Sequence, residues 1–180
     1  ELSKNDFKKL FLYCKKRKIE FLSTPASFQD VNFLDKLGVN SFKLASMHAS
    51  EPEFIRYVAS KNKPLIASTG MCTSSEVKEM AKIIKKTKNK KVCIMQCTSM
   101  YPIDRKDANI NVMRELGVMT GLSVGYSDHT IGSEALKIAA IMGANALEFH
   151  FTDSRKDKVF RDHKVSLTAD EVQTLIEELK

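Results

Sequence analysis

Residues 64–86 read PLIASTGMCTSSEVKEMAKIIKK. The run passes from a short apolar stretch after Pro64, through a polar turn at Ser68, Thr69 and Gly70, into an amphipathic helix. Thr73 and Glu76 stand three apart, the spacing at which a hydroxyl and a carboxylate close a helix N-terminus reciprocally. Strand, turn and capped helix make one βα unit.

The same unit recurs on both sides. Further strands are expected in IEFLSTP from Ile19, SFKLAS from Ser41, VCIMQCT from Val92, LSVGYSD from Leu122 and ALEFHFT from Ala146. Their spacing leaves room for a loop, a helix and a return loop each time. Ser50 with Glu53, and Thr168 with Glu171, offer two more capping boxes. Gly38 and Gly143 fit the position just past a helix end, where a positive φ is required. The strands are apolar nearly throughout, as in a parallel sheet covered by helices. Alternating strands and helices leave an open doubly wound sheet or a (β/α)8 barrel. No G-x-G-x-x-G run follows a strand, which disfavours dinucleotide binding. Polar residues end strand after strand, at Thr24, Ser46, Ser68, Thr98, Ser127 and His150. A barrel gathers such ends around one pocket. The expected architecture is therefore a TIM-type α/β barrel carrying six of its eight βα units, the two leading units lying outside this chain.

Composition agrees with a soluble globular protein. Of 180 residues, 43% are hydrophobic and 28% charged. No apolar run reaches the roughly 20 residues that cross a bilayer, and the start has no signal-peptide pattern, so a cytoplasmic protein without a membrane role is expected. The net charge is +7, with lysines concentrated at 15–18 and 85–91. Both clusters follow helical patterns, where cations suit the negative end of the dipole, and no aromatics are interleaved for nucleic acid. Cys14, Cys72, Cys93 and Cys97 match no zinc spacing and read as reduced thiols.

Several residues suggest chemistry. His129 and His150 end neighbouring expected strands, and parallel strands lie about 4.8 Å apart, so the two imidazoles can share one cation. Asp128 and Glu148 are candidate ligands or orienting groups; the alternative is that one histidine only satisfies a core hydrogen bond. Lys43 inside an apolar strand needs a polar cavity or a partner. It can hold a phosphate or carboxylate, form a Schiff base, or sit in a structural ion pair. Ser68, Thr69 and Gly70 before a helix can cradle phosphate, or simply serve the cap. Asp162, in FRDHK, is expected on a mobile loop, and His48 has no evident partner.

Taken together FLSTPAS, FKLAS, PLIASTGM, QCTSMYP, ANINV, VGYSDHTIG, LEFHFT and DHKVSL resemble the sialic acid synthase family, in its order and spacing over nearly the whole chain. The resemblance implies a (β/α)8 barrel, two leading units bearing a catalytic glutamate and a second phosphate-binding lysine, a C-terminal antifreeze-like domain and a homodimeric parent. It implies condensation of phosphoenolpyruvate with N-acetylmannosamine or a related N-acylated amino sugar, with Mn²⁺ or Mg²⁺ held by His129 and His150. By the same carry-over Thr24, Lys43, Ser46, Ser68 and Ser127 contact phosphoenolpyruvate, Tyr101 and Asp162 contact the sugar, and Asp162 joins His129 and His150 in the catalytic set. Two alternatives remain: a non-catalytic fragment that binds ligand or oligomerises, and another phosphate-handling barrel lyase using Lys43 as a Schiff base.

Overall fold

In the computed structural model, which describes residues 2–180, five parallel strands form a single sheet in sequential order. They are β1 (Phe42–Leu44), β2 (Leu65–Ser68), β3 (Val92–Gln96), β4 (Ser123–Ser127) and β5 (Leu147–Glu148). The helices are α1 (Lys4–Lys16), α2 (Phe28–Leu37), α3 (Pro52–Ser60), α4 (Ser74–Lys86), α5 (Val112–Thr120), α6 (Glu134–Ile141), α7 (Asp162–Val165) and α8 (Ala169–Glu178). The order is that of a barrel arc, each strand followed by a crossover to its parallel neighbour. None of the helices described is long and apolar enough to cross a membrane.

Register explains how one sequence serves two environments. Phe42, Leu65 and Val92 align across three strands, as do Leu44, Ala67, Ile94 and Val124. Side chains alternate across a strand, so these residues share one face. That face packs on Val31, Leu34, Phe54, Ile55, Val58, Val77, Met80, Ile84 and Leu116 of the helices. Each fully buried aliphatic side chain there contributes about 1.5–3 kcal/mol of transfer free energy. The intervening residues point the other way, and Lys43, Ser68, Ser127 and Glu148 are among them.

The caps behave as local chemistry dictates. Thr73 and Glu76 close α4 reciprocally, and Thr168 with Glu171 does the same for α8. Gly38 ends α2 at φ +91° and Gly143 follows α6 at φ +92°. The expected box at Ser50 and Glu53 does not form. Pro52 occupies the first turn of α3, where its fixed φ and missing N–H are suited, and makes Glu51 the N-cap with no side-chain bond.

Two further expectations are corrected. The six strands are five, because Ile19–Pro25 joins no ladder. Phe21 instead turns to the α1 side, edge-on to Phe7 and Phe11 at 6.3 and 6.0 Å, and Glu20 accepts from the Asn40 amide. Asp162 lies on the short helix α7 rather than on an irregular loop, and the Ser166 hydroxyl donates to its carbonyl.

Candidate active site

The inner face of the sheet opens, at the C-terminal ends of the strands, into a cleft of about 370 Å³. Lys43, Ser46, Ser68, Tyr101, Ser127, His129 and His150 all line it. They come from the ends of all five strands, and register accounts for this. Lys43 pairs in the ladder with Ile66, whose same-face neighbour is Ser68. Ser68 pairs with Met95, Met95 with Gly125, and two residues on from Gly125 is Ser127, which pairs with Glu148. Adding two again gives Cys97, His129 and His150.

At one end of the cleft Lys43 Nζ lies 3.0 and 2.9 Å from the two carboxylate oxygens of Glu148. The Ser127 hydroxyl donates to the same carboxylate at 2.8 Å. Strands 105 positions apart in sequence are thus tied by one ion pair. The Ser46 hydroxyl oxygen accepts from Gly70 N–H at 3.0 Å and touches Cys97 Sγ at 3.4 Å. Ser68 Oγ is buried and, among the described residues, is the one buried side-chain nitrogen or oxygen with no hydrogen-bond partner. An orphaned buried hydroxyl facing a cleft points to a ligand atom that completes it. The rest of the expected cradle is otherwise committed: Thr69 Oγ1 donates to Met95 O, and Thr73 caps α4.

Two residues further along the strands the His129 and His150 rings stand 5.3 Å apart, with Tyr101 at 4.1 Å from the first and 5.4 Å from the second. His129 Nδ1 lies 2.6 Å from the Thr98 carbonyl. A carbonyl only accepts, so Nδ1 carries the proton and Nε2 keeps a lone pair. Burial pushes the His129 imidazole below its ordinary pKa, against the pull of the Thr98 carbonyl, and nearby His150 pushes the same way. Both effects favour the neutral form that a metal ligand needs. Asp162 Oδ2 is 3.9 Å from His150 Nδ1. Among the described residues no three His, Cys, Asp or Glu side chains converge on one point. The two imidazoles are the side chains of the cleft that could hold a divalent ion, with water or substrate oxygens needed to complete its ligands.

Asp128 turns away from the cleft. It accepts from Thr130 N–H and Oγ1 at 2.9 Å each and from the Tyr126 hydroxyl at 3.2 Å, and so shapes the turn that presents His129. Thr24 is not brought to the cleft; it lines a separate hollow with Phe7, Asp30 and Phe33. His48 pairs with Glu51 at 3.0 Å and packs on Phe54, outside the cleft. The lining also includes Cys97, Ser99 and Arg161, which sequence reasoning missed. Strand parity signals Cys97, which follows Met95 on the inward face. Arg161 carried no such signal, because its place depends on how residues 153–161 fold back.

A model of the NeuB family matches residues 1–180. This chain belongs to the NeuB family. It is 35% identical over 182 residues to the N,N'-diacetyllegionaminic acid synthase of Campylobacter jejuni, covering all of this chain and 54% of that protein. It is 30% identical over 176 residues to the N-acetylneuraminate-9-phosphate synthase of Drosophila melanogaster, covering 97% of this chain and 47% of that protein. The structure superimposes on the N-acetylneuraminic acid synthetase of Leptospira borgpetersenii with a TM-score of 0.94 at 30% identity, covering 99% of this chain and 62% of that one. The chain spans about half the length of the curated NeuB-family relatives it matches.

Proposed function

We propose that this chain is the catalytic arc of a cytoplasmic enzyme that condenses phosphoenolpyruvate with an open-chain N-acylated amino sugar, releasing inorganic phosphate. The observation that carries the reading is the two-part cleft. A lysine–serine group stands at one end and an imidazole pair at the other, on a NeuB-family barrel arc. The two leading βα units, the C-terminal domain and a homodimeric assembly belong to the whole protein in this reading.

Phosphoenolpyruvate fits the lysine end. Lys43 supplies a cation, and Ser46, Ser68 and Ser127 supply hydroxyls to its oxygens; the orphaned Ser68 Oγ gains the partner it lacks. Glu148 holds Lys43 and Ser127 in place until the anion arrives. His129 and His150 would hold Mn²⁺ or Mg²⁺, which when bound polarises the sugar aldehyde. Thr98 orients the first imidazole, and Asp162 stands beside the second. Tyr101 packs against both rings. With the aldehyde at the imidazoles and the enol at the serines, C3 of phosphoenolpyruvate attacks the aldehyde carbon. Water then adds at C2, and phosphate leaves with C–O cleavage. Lys43 is committed to Glu148, so a Schiff-base lyase would first have to break that pair.

The test is an assay of the full-length protein for phosphate release. Release is expected only when phosphoenolpyruvate, the amino sugar and Mn²⁺ are all present, and His129→Ala is expected to abolish it. A separate titration of Mn²⁺ followed by electron paramagnetic resonance reads the metal directly. Unchanged affinity in His129→Ala, or phosphate released without sugar, would refute the assignment.

A further inference from the structure

Positive charge is not spread evenly over this chain. Residues 78–91 hold seven lysines against one glutamate, which is six of the chain's net seven positive charges. All seven lysines are exposed. The helix dipole accounts for Lys85 and Lys86, which sit in the last turn of α4. It does not account for Lys82 and Lys78, one and two turns earlier, or for Lys88, Lys90 and Lys91 in the loop beyond.

Four of these lysines line one groove. Lys78, Lys82, Lys85 and Lys86 flank a hollow of about 410 Å³ between α4 and α5, with Ala81, Met119 and Thr120 completing it. Among the described residues Lys82 alone of the four pairs with a carboxylate, Glu79 at 3.5 Å, and both of those side chains are more than half exposed. An exposed pair of that kind contributes little and yields to a competing anion. Lys78, Lys82 and Lys86 follow one another at four-residue steps, so the helix rise of about 1.5 Å per residue sets them about 6 Å apart along the groove. An extended peptide advances about 3.3 Å per residue, so every second side chain recurs at about 6.6 Å. Alternate carboxylates on such a chain therefore meet successive lysines. Ala81 and Met119 offer apolar contact between them. The lining contains no aromatic ring on which a nucleobase could stack. It also presents no exposed large apolar side chain of the kind that enters a bilayer.

We propose that the groove between α4 and α5 is a docking site for an extended acidic segment of a partner protein, with carboxylates at alternate positions. The groove lies away from the cleft. α4 runs back from the C-terminal end of β2, and the loop with Lys88, Lys90 and Lys91 enters β3 at its N-terminal end. Docking there tethers the chain and leaves the cleft open. The loop lysines extend the positive field beyond the groove and steer an acidic chain towards it. This docking role stands or falls independently of the condensation reading.

The test uses the full-length protein and a fluorescein-labelled peptide alternating glutamate with serine, followed by fluorescence anisotropy at low and physiological salt. Binding is expected to weaken as salt rises, because the contacts are exposed. Lys78→Gln combined with Lys85→Gln is expected to lower the affinity about three- to tenfold, as two exposed charge contacts imply. Lys15→Gln combined with Lys16→Gln removes the same charge from the last turn of α1 and is expected to change affinity by less than about twofold. Both doubles replace exposed side chains, and thermal melting is expected to show them folded as the parent is. The same peptide with glutamine for glutamate is expected not to bind. Equal losses in the two doubles would reduce the effect to net charge and overturn the proposal. Absence of peptide binding by the parent, or a groove double that binds as the parent does, would overturn it as well. Tighter binding of oligothymidylate or of phosphatidylserine vesicles through the same lysines would assign the groove to nucleic acid or to a membrane instead.

Discussion

Replacing Glu148 with methionine removes the one carboxylate that meets Lys43, and the consequence follows from exposure. The lysine side chain is 11% exposed and the glutamate 38%. Breaking a fully buried pair leaves an uncompensated charge that costs about 3–5 kcal/mol. Here the cleft admits water to one side of the pair, so the cost falls to about 2–3 kcal/mol, including the hydrogen bond lost by the buried Ser127 hydroxyl. The reverse change, Lys43→Met, strands only a half-exposed carboxylate that still accepts from Ser127, for about 1 kcal/mol or less. The double variant places two apolar side chains where the pair was, and it is expected to be more stable than Glu148→Met alone by about 1–2 kcal/mol. For a chain of this size these differences shift Tm by about 2–4 °C per kcal/mol. Chemical and thermal denaturation of the four proteins, combined as a double-mutant cycle, measures all three quantities. Additive effects, or a lysine variant as unstable as the glutamate variant, would refute the asymmetry argued from burial.

Other outcomes follow from the same structure. Gly125→Ala is expected to destabilise by about 1–3 kcal/mol in urea titrations, because a Cβ there would lie 2.5 Å from both Ala146 O and Met95 Sδ. Thr73→Ala removes the hydroxyl that receives Glu76 N–H at the start of α4, and a loss of about 1 kcal/mol is expected in the same assay. Arg155 beside Glu171, with Thr168 N–H, holds that carboxyl down to about 2 from its usual 4.5. A lowered folded-state pKa gives stability that is present above about 4.5 and lost as pH falls towards about 2. The pair is partly exposed, so the loss is below about 1 kcal/mol, and Glu171→Gln should flatten the acid limb of stability against pH.

Local chemistry made much of this fold legible. The apolar runs at Leu65, Val92 and Ser123 become β2, β3 and β4, and Thr73, Thr168, Gly38 and Gly143 mark helix ends as their types require. The Ile19 run misled because strand formation depends on a partner elsewhere in the chain, whereas Phe21 finds its contacts with Phe7 and Phe11. At Ser50 the stronger local signal was Pro52, which fixes the start of α3 one residue later. In the cleft, residues that follow strand parity were readable: Lys43, Ser68, Ser127, His129 and His150. Thr24 was misplaced because its neighbourhood is set by α1 and α2, and Arg161 was missed because a returning loop places it.

Strand parity also bears on how such a chain can change over generations. Inserting or deleting one codon within β2, β3 or β4 would exchange the two faces beyond that point, sending serines into the helix layer and leucines into solvent. The crests between strands and helices carry no such penalty. Length variation compatible with folding is thereby steered to the connecting segments, such as residues 153–161, whose Arg161 lines the cleft, so the rim of the cleft can change without disturbing the sheet beneath.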